Sequence, residues 1–412
     1  MSPDPQRLPR LLATVGRSDL AAHVGHWGPR PSGDHLLTEL ARSGLTGRGG
    51  AGFPAAVKWE AARRSRATVV VANGTEGEPA SNKDKTLLIH APHLVLDGAS
   101  LAAEAIGATE AVICVDQSAS TARRSVHRAI SERIHYGQDR VALRVEATPP
   151  GYITGEESAL VAWLSGGRAL PTFGRRPDQS GVDGRPTLVN NVETLANAAL
   201  IARFGADWFA AVGTAESPGT ALITVSGDVS HPAVYEVPFG TRIADIITRA
   251  GPTSRPQAAL IGGYAGTWFG PADCATAPLE ASARSGVPIG CGSILVVGEA
   301  SCGLKATAEI ANWMAGESAG QCGPCANGLP AIAAGVSRLL DAASPQRAAV
   351  QTDRWLAMVE GRGACKHPDG TVRMVRSGLC LFADEVDRHR RHGDCRRPAP
   401  PLPLPRYDGA VV

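Results

Sequence analysis

RATVVVAN (66–73), EAVICVD (110–116) and VALRVEA (141–147) are three short runs dominated by β-branched and other apolar residues. Between them lie two segments of helical period, DKTLLIHAPHLVLDGASLAAEAIG (84–107) and STARRSVHRAISERIH (120–135). Strands separated by helices of this length cannot pair as hairpins, so the pattern predicts a parallel sheet covered by helices on both faces, an α/β fold. A further helical stretch, NNVETLANAALIARFGA (190–206), closes the region.

The pattern changes near Gly213. ALITVSGDV (221–229), AVYEVP (233–238), TRIADIITRAG (241–251) and AALIGGY (258–264) give short strands around one short helix, a β-grasp-like unit of roughly fifty to sixty residues. After ILVVG (294–298) the chain reads as helical through CGLKATAEIANWMAG, GLPAIAAGVSRLLDAA, QTDRWLAMVEG and VRMVRSGLCLFADEVDRHRRH. The final RRPAPPLPLPRYDGAVV is proline-rich and reads as an extended tail.

Composition narrows the function. Lys and Arg total 41 against 39 Asp and Glu, which gives no electrostatic reason to expect a nucleic-acid partner. There is no apolar run of membrane-spanning length, and the N-terminus carries three prolines and no signal-like apolar core. A cytoplasmic location is expected. Nine cysteines in such a chain point to metal or redox use rather than to disulfides. Cys114, inside the apolar run AVICV, is expected to be a core residue.

Four segments carry chemistry. Gly47, Gly49, Gly50 and Gly52 in TGRGGAGFP, followed by Lys58, let backbone N–H groups converge on an anion because no Cβ blocks the approach. The spacing matches a dinucleotide fingerprint, but a helix-like LLTELARSG precedes it where a strand is required; a phosphate cradle and a plain surface loop both remain open. NGTEGEP (73–79) follows the first strand, where open α/β sheets bind ligands. Glu76 and Glu78 there could bond ribose hydroxyls or position a nicotinamide, and Asn73 could meet a flavin edge. GYITGEES (151–158) and NNVET (190–194) offer paired carboxylates and paired amides, which can bind a cofactor or cap a helix. Cys322-Gly-Pro-Cys325, with Cys365 downstream, sits between helices and suits a metal or cluster better than a thioredoxin-type pair.

In this order the motifs resemble the flavoprotein subunit of respiratory complex I and its relatives in NAD-linked hydrogenases and formate dehydrogenases. That family reads GRGGAGFP with Lys-Trp, NADESEPG with Lys-Asp, a GEE segment, VNNVET and ESCGxCxPC. The matches here are GRGGAGFPAAVKW, NGTEGEPASNKDK, GYITGEESAL, LVNNVETLAN and ESAGQCGPC. The resemblance spans about residues 38 to 385, with TVSGDVSHPAVYEVPFGT similar to the family's soluble-ligand-binding β-grasp module. It implies a Rossmann-like FMN/NADH-binding domain over 1–213, the β-grasp module over 214–273, an iron–sulfur helical bundle over 274–395 and a tail over 396–412.

It also implies FMN, NADH and a [4Fe–4S] cluster, with other electron-transfer subunits as partners, peripheral to the inner face of a membrane through a complex. Residue by residue, Gly47, Arg48, Gly49, Lys58, Asn73, Glu76, Tyr152, Glu156, Asn190, Asn191 and Thr194 would line the FMN, with Gly50 and Gly52 in the same cradle. Phe53, Glu78 and Glu157 would face the nicotinamide nucleotide, making Glu76, Glu78 and Glu157 the candidate catalytic carboxylates. Cys322, Cys325 and Cys365 would hold the cluster.

The chain also departs from the family. Thr75 replaces an Asp of the flavin loop, and Ala61, Phe173 and Gly174-Arg175-Arg176 stand where the family has an aromatic and a Lys-Pro-Pro-aromatic run. Only Phe53 of the adenine-stacking set remains; at about 1–3 kcal/mol per stacked base, two losses weaken nucleotide binding by orders of magnitude. Arg175 and Arg176 are placed to compensate through phosphate contacts. Ala319 replaces the first cluster cysteine. His367 is close enough in sequence to supply a fourth ligand, and Cys395 could fold back. Three ligands would instead favour a [3Fe–4S] cluster or a labile iron, and Cys302 and Cys380 read as core residues. The leading expectation is one subunit of an NADH dehydrogenase. The alternatives are a flavin protein using ferredoxin or another carrier and a non-catalytic scaffold.

Overall fold

The computed structural model describes residues 4–174, 176–281, 286–341 and 345–405. Strands β1 (Val69–Gly74), β2 (Glu110–Asp116), β3 (Ala142–Thr148) and β4 (Thr187–Asn191) form a parallel sheet in the order β3-β2-β1-β4. The three expected strands are present and β4 is an addition, drawn from residues that the sequence pattern merged with the following helix. Alternation divides the sheet between two cores. Val70, Ala72, Ile113 and Val115 pack into a large helical layer, while Val69, Val71, Val112 and Cys114 face a thinner one with Leu160 and Val189. Cys114 is therefore a core residue, as its apolar neighbours suggested.

The helical stretch read over 84–107 is two helices, Lys83–His90 and Pro92–Ile106. Proline lacks an N–H and disfavours helical geometry in the residue before it; Ala91 accordingly leaves the helix at φ −136°. Helix Pro92–Ile106 crosses Val192–Ala210 so closely that a Cβ on Gly98 would lie 2.0 Å from the Leu195 carbonyl oxygen. Beside this crossing Asp97 ties four helices together, meeting His23 at 2.8 Å, Arg133 at 2.8 Å and Arg203 at 2.5 Å.

A second sheet follows: β5 (Thr220–Gly227), β6 (Ala233–Pro238), β7 (Pro256–Ile261) and β8 (Thr267–Phe269), then a two-residue parallel pair, β9 (Leu279–Glu280) with β10 (Val287–Pro288), and finally β11 (Ser293–Gly298). The five-stranded order is β6-β5-β11-β7-β8. The middle strand β11 thus comes from beyond residue 273, and a division there separates it from its own sheet. Its side chains explain why: Ile294 and Val296 fill the core under helix Ile243–Arg249, whereas Leu295 and Val297 fill the core of the C-terminal bundle.

That bundle comprises Gly303–Gly316, Leu329–Arg338, Pro345–Val359, His367–Leu381 and Ala383–His392. Its last segment, read as continuous, breaks at Phe382. The tail is laid across the bundle, with Leu402 and Leu404 against its core; residues 406–412 lie outside the described residues. Among the described residues no helix is long and apolar enough to cross a membrane.

Candidate functional site

The order β3-β2-β1-β4 places a topological switch between β1 and β4, where an open sheet leaves a crevice at its C-terminal edge. Register brings the chemistry to that crevice: Ala72 pairs with Asn190 and Asn73 with Asn191. A cleft of about 540 Å³ opens there, lined by all sixteen residues expected to bind cofactor: Gly47, Arg48, Gly49, Gly50, Gly52, Phe53, Lys58, Asn73, Glu76, Glu78, Tyr152, Glu156, Glu157, Asn190, Asn191 and Thr194. Gly262, Ala265, Gly290 and Cys291 from the β-grasp unit, and Cys365, His367 and Arg373 from the bundle, complete its wall.

The glycine loop closes on itself through Gly47 N–H donating to the Phe53 carbonyl at 2.8 Å. A Cβ on Gly49 would meet the Asn191 Cβ at 3.3 Å, so the loop lies against the Asn pair. Asn190 accepts from the Trp59 indole at 2.9 Å through its carbonyl, which turns its NH2 into the group available to a ligand. Lys58 Nζ and Glu157 Oε1 pair at 2.8 Å across the rim, both partly exposed. Phe53 stands 52% exposed beside the opening.

Several expected ligands are committed elsewhere. Arg48 donates its backbone N–H to Thr194 Oγ1 at 2.9 Å, but its guanidinium is buried among the carbonyls of Thr46, Pro218 and Thr220 and over the Phe239 ring. Burial lowers its pKa to about 10. Arg48 therefore joins the α/β domain to the β-grasp unit and meets the cleft without a free side-chain charge. Glu76 accepts from Asp84 N–H and Lys85 N–H, each at 2.9 Å, and so caps helix Lys83–His90 with both carboxylate oxygens. Glu156 caps Glu157–Leu164 through Ala159 N–H at 2.9 Å. Asn191 caps Val192–Ala210 through Glu193 N–H at 3.0 Å.

Glu78 differs from these. It accepts from Tyr264 N–H at 2.8 Å and Ala80 N–H at 3.0 Å. Burial nevertheless outweighs both and pushes its pKa up to about 7. It is the one expected catalytic carboxylate poised to change protonation near neutral pH.

The wall also holds charges that motif reading left out. Lys83 lies 2.7 Å from Asp84 and 2.8 Å from Glu193, all three buried. Burial works against the ammonium, but the two carboxylates prevail and raise its pKa. Asp84 in turn accepts from the Asn191 amide at 2.7 Å. Charged residues inside otherwise apolar helical stretches were the available signal. Of the two arginines expected to contact phosphate, Arg175 lies outside the described residues and Arg176 pairs with Asp178 at 2.9 Å. Phe173 is 60% exposed.

The second centre lies where the bundle meets the cleft. Cys325 sits in a π-helical turn, Pro324–Gly328. Cys322 and Cys325 interact directly, and Cys365 is close enough to act on both. Burial disfavours the Cys322 thiolate, yet N–H groups of Ala364 and Cys325 and the Cys325 thiol outweigh it and lower its pKa. Burial first, then the neighbouring Cys322, pushes Cys325 to about 12. Three thiols that share one proton-poor position form a donor set suited to a cluster.

His367 is not the solvated turn residue that Pro368 and Asp369 suggested. It is buried in the first turn of His367–Leu381, its Nε2 donates to the Met314 carbonyl at 2.8 Å, and its Nδ1 has no partner among the described residues. Its backbone N–H, rather than its ring, reaches the Cys365 sulfur. Cys395 folds back, but to Cys302 and His389 rather than to this centre. Cys380 is exposed rather than a core residue.

Three family models match the chain: a Nuo51 FMN-binding domain over residues 40–200, an SLBB domain over 222–261 and a NADH-ubiquinone oxidoreductase-F iron–sulfur binding region over 305–389. The F subunit of NADH-quinone oxidoreductase from Streptomyces coelicolor is 31% identical over 392 residues, covering 89% of this chain and 86% of that protein. The corresponding protein of Rhizobium meliloti, the second of two such F subunits by its name, is 28% identical, covering 95% and 96%. Among solved structures, an air-oxidized NAD+-reducing [NiFe]-hydrogenase superposes with a TM-score of 0.83 at 31% identity over 93% of this chain and 67% of its own. The H2-reduced form gives 0.79 at 32% over 87% of this chain, which spans only 63% of the hydrogenase chain.

Proposed function

This chain belongs to the family of NADH-quinone oxidoreductase F subunits, and from that premise we propose that it accepts hydride from NADH at the β1–β4 cleft and passes electrons singly to partner subunits. The observation that carries this reading is the convergence of the glycine loop, the Asn pair and Glu78 on one cleft whose wall also contains Cys365.

The residues suit FMN. Gly47, Gly49 and Gly50 leave a Cβ-free approach for a phosphate, the Asn190 NH2 faces an acceptor on the ring system, and Lys58 with Glu157 can orient a nucleotide at the rim. When bound, the flavin supplies a two-electron acceptor that releases electrons one at a time. Glu78 holds or releases a proton at its carboxyl beside the cleft, and the buried Lys83–Asp84–Glu193 set fixes the Asn191 amide. Cys322, Cys325 and Cys365 suit an iron–sulfur cluster, with either the unpartnered His367 Nδ1 or solvent as the fourth ligand.

Through such a complex the chain would sit peripherally at the inner face of a membrane. The loss of aromatics at Ala61 and Gly174 and the outward position of Phe173 favour a second reading, in which ferredoxin or another carrier replaces NADH. Stopped-flow bleaching of the flavin at rising NADH tests the choice. Saturable bleaching supports the first reading; none at millimolar NADH, with dithionite still reducing the flavin, supports the second.

A further inference from the structure

At the opposite end of the helix Gly303–Gly316 from Met314, where His367 docks, Cys302, His389 and Cys395 bring one ligand atom each to within 4.8 Å of one another. His389 and Cys395 are 87 and 93 positions from Cys302 in sequence, so only the fold assembles the three. None belongs to the Cys322–Cys325–Cys365 centre. We propose that they form a structural zinc site, with Glu385 or a water completing a tetrahedral shell.

The geometry is that of a metal shell before its metal. Ligand distances of about 2.3 Å for zinc–sulfur and about 2.0–2.1 Å for zinc–nitrogen put the two ligand atoms roughly 3.6 Å apart in a tetrahedron. Cys302 Sγ lies 3.5 Å from His389 Nε2 and 3.3 Å from Glu385 Oε2. The imidazole is presented correctly. Its Nδ1 faces the Leu340 carbonyl at 3.3 Å, and a carbonyl can only accept, so the proton sits on Nδ1 and the Nε2 lone pair points at Cys302. A second partner that fixes the tautomer in this way is the usual support of a metal-bound histidine.

The third ligand is held rather than dangling. Arg396 adopts φ 59°, in the left-handed region, and turns the chain back just after Cys395. Lys305 Nζ grips this turn through Asp394 and the Arg397 carbonyl, each at 2.9 Å. Cys302 N–H donates to the Pro398 carbonyl at 2.6 Å. The Arg397 guanidinium also pairs with Glu385 at 2.6 Å. Two sulfurs and one imidazole are a soft donor set that selects zinc over magnesium or calcium. On binding, both thiols lose their protons to solvent, so a divalent ion and two thiolates leave the centre neutral while Arg397 balances Glu385. The ion would pin the last helix and the tail to the start of Gly303–Gly316.

The test uses tag-free, full-length protein purified anaerobically, with zinc and iron measured together. About one zinc per chain is expected beside the cluster iron. Cys395→Ser, beyond the last helix, should lose at least about tenfold in zinc occupancy while retaining its iron, and Cys325→Ser should do the reverse. Cobalt exchanged into the wild type should show thiolate-to-metal charge transfer, which Cys395→Ser abolishes. Absence of zinc after incubation with zinc sulfate and desalting would overturn the proposal, as would equal zinc in Cys395→Ser. A Cys302–Cys395 disulfide found by mass spectrometry in the anaerobic protein would overturn it too.

Discussion

Replacing Glu78 by glutamine tests whether the buried carboxyl at the cleft is a proton-holding group. Its pKa rises from the ordinary 4.5 to about 7 because burial removes water from the carboxylate, and the N–H groups of Tyr264 and Ala80 only partly replace it. The folded protein therefore binds this proton more tightly than the unfolded chain. Between those two values the native state carries the extra proton, so raising the pH through the window drains stability. The gap of about 2.5 in pKa, at about 1.4 kcal/mol each, makes a loss of roughly 3 kcal/mol on reaching about pH 8. Glutamine never ionises, so Glu78→Gln escapes this loss. Its one remaining acceptor costs a constant amount that does not vary with pH. Denaturant unfolding of flavin-free wild type and variant at about pH 5 and about pH 8 isolates the effect. The stability difference should move in the variant's favour by about 3 kcal/mol between them. An unchanged difference would refute the reasoning and leave Glu78 a permanently ionised structural acceptor.

Gly49→Leu should abolish FMN binding, read by flavin fluorescence after heat release, because even a Cβ there is tight against Asn191; an apoprotein that reconstitutes normally would count against the cradle. Cys325→Ser should lose the iron and sulfide. His367→Ala should alter the EPR signal of the reduced cluster if Nδ1 is a ligand and leave it unchanged if solvent is. Asp97→Asn leaves Arg133 and Arg203 buried without their shared carboxylate and should cost about 3–5 kcal/mol in equilibrium unfolding. Although burial opposes its ionisation, His23, Arg133 and Arg203 hold the Asp97 pKa below its ordinary value. Its stabilisation should accordingly be complete near neutral pH and fade only as pH falls below the usual carboxylate range.

The glycine loop, the Asn pair and the strand-end loop were legible because each is a local pattern and the parallel sheet's own register brings them together. The roles of individual side chains were less so. Glu76, Glu156 and Asn191 each stand just before a helix, and an acceptor at such a position looks the same in sequence whether it binds a ligand or the helix's own N–H groups. Arg48 was misread for a different reason: its destination, the Pro218 and Thr220 carbonyls, is supplied by another unit about 170 residues away. Strand β11 escaped its sheet in the sequence reading because a strand's neighbours are not encoded in its own residues. Cys302 and Cys395 were equally opaque, since only the turn at Arg396 carries the second thiol back to the first.

The cleft's wall is contributed by three separately cored units: the parallel sheet, the β-grasp sheet and the helical bundle. Whatever occupies it touches all three, so its binding free energy is at the same time cohesion between them. Flavin release and loosening of the seams are then two views of one equilibrium. Protease nicking at inter-unit loops would report cofactor occupancy as faithfully as colour does.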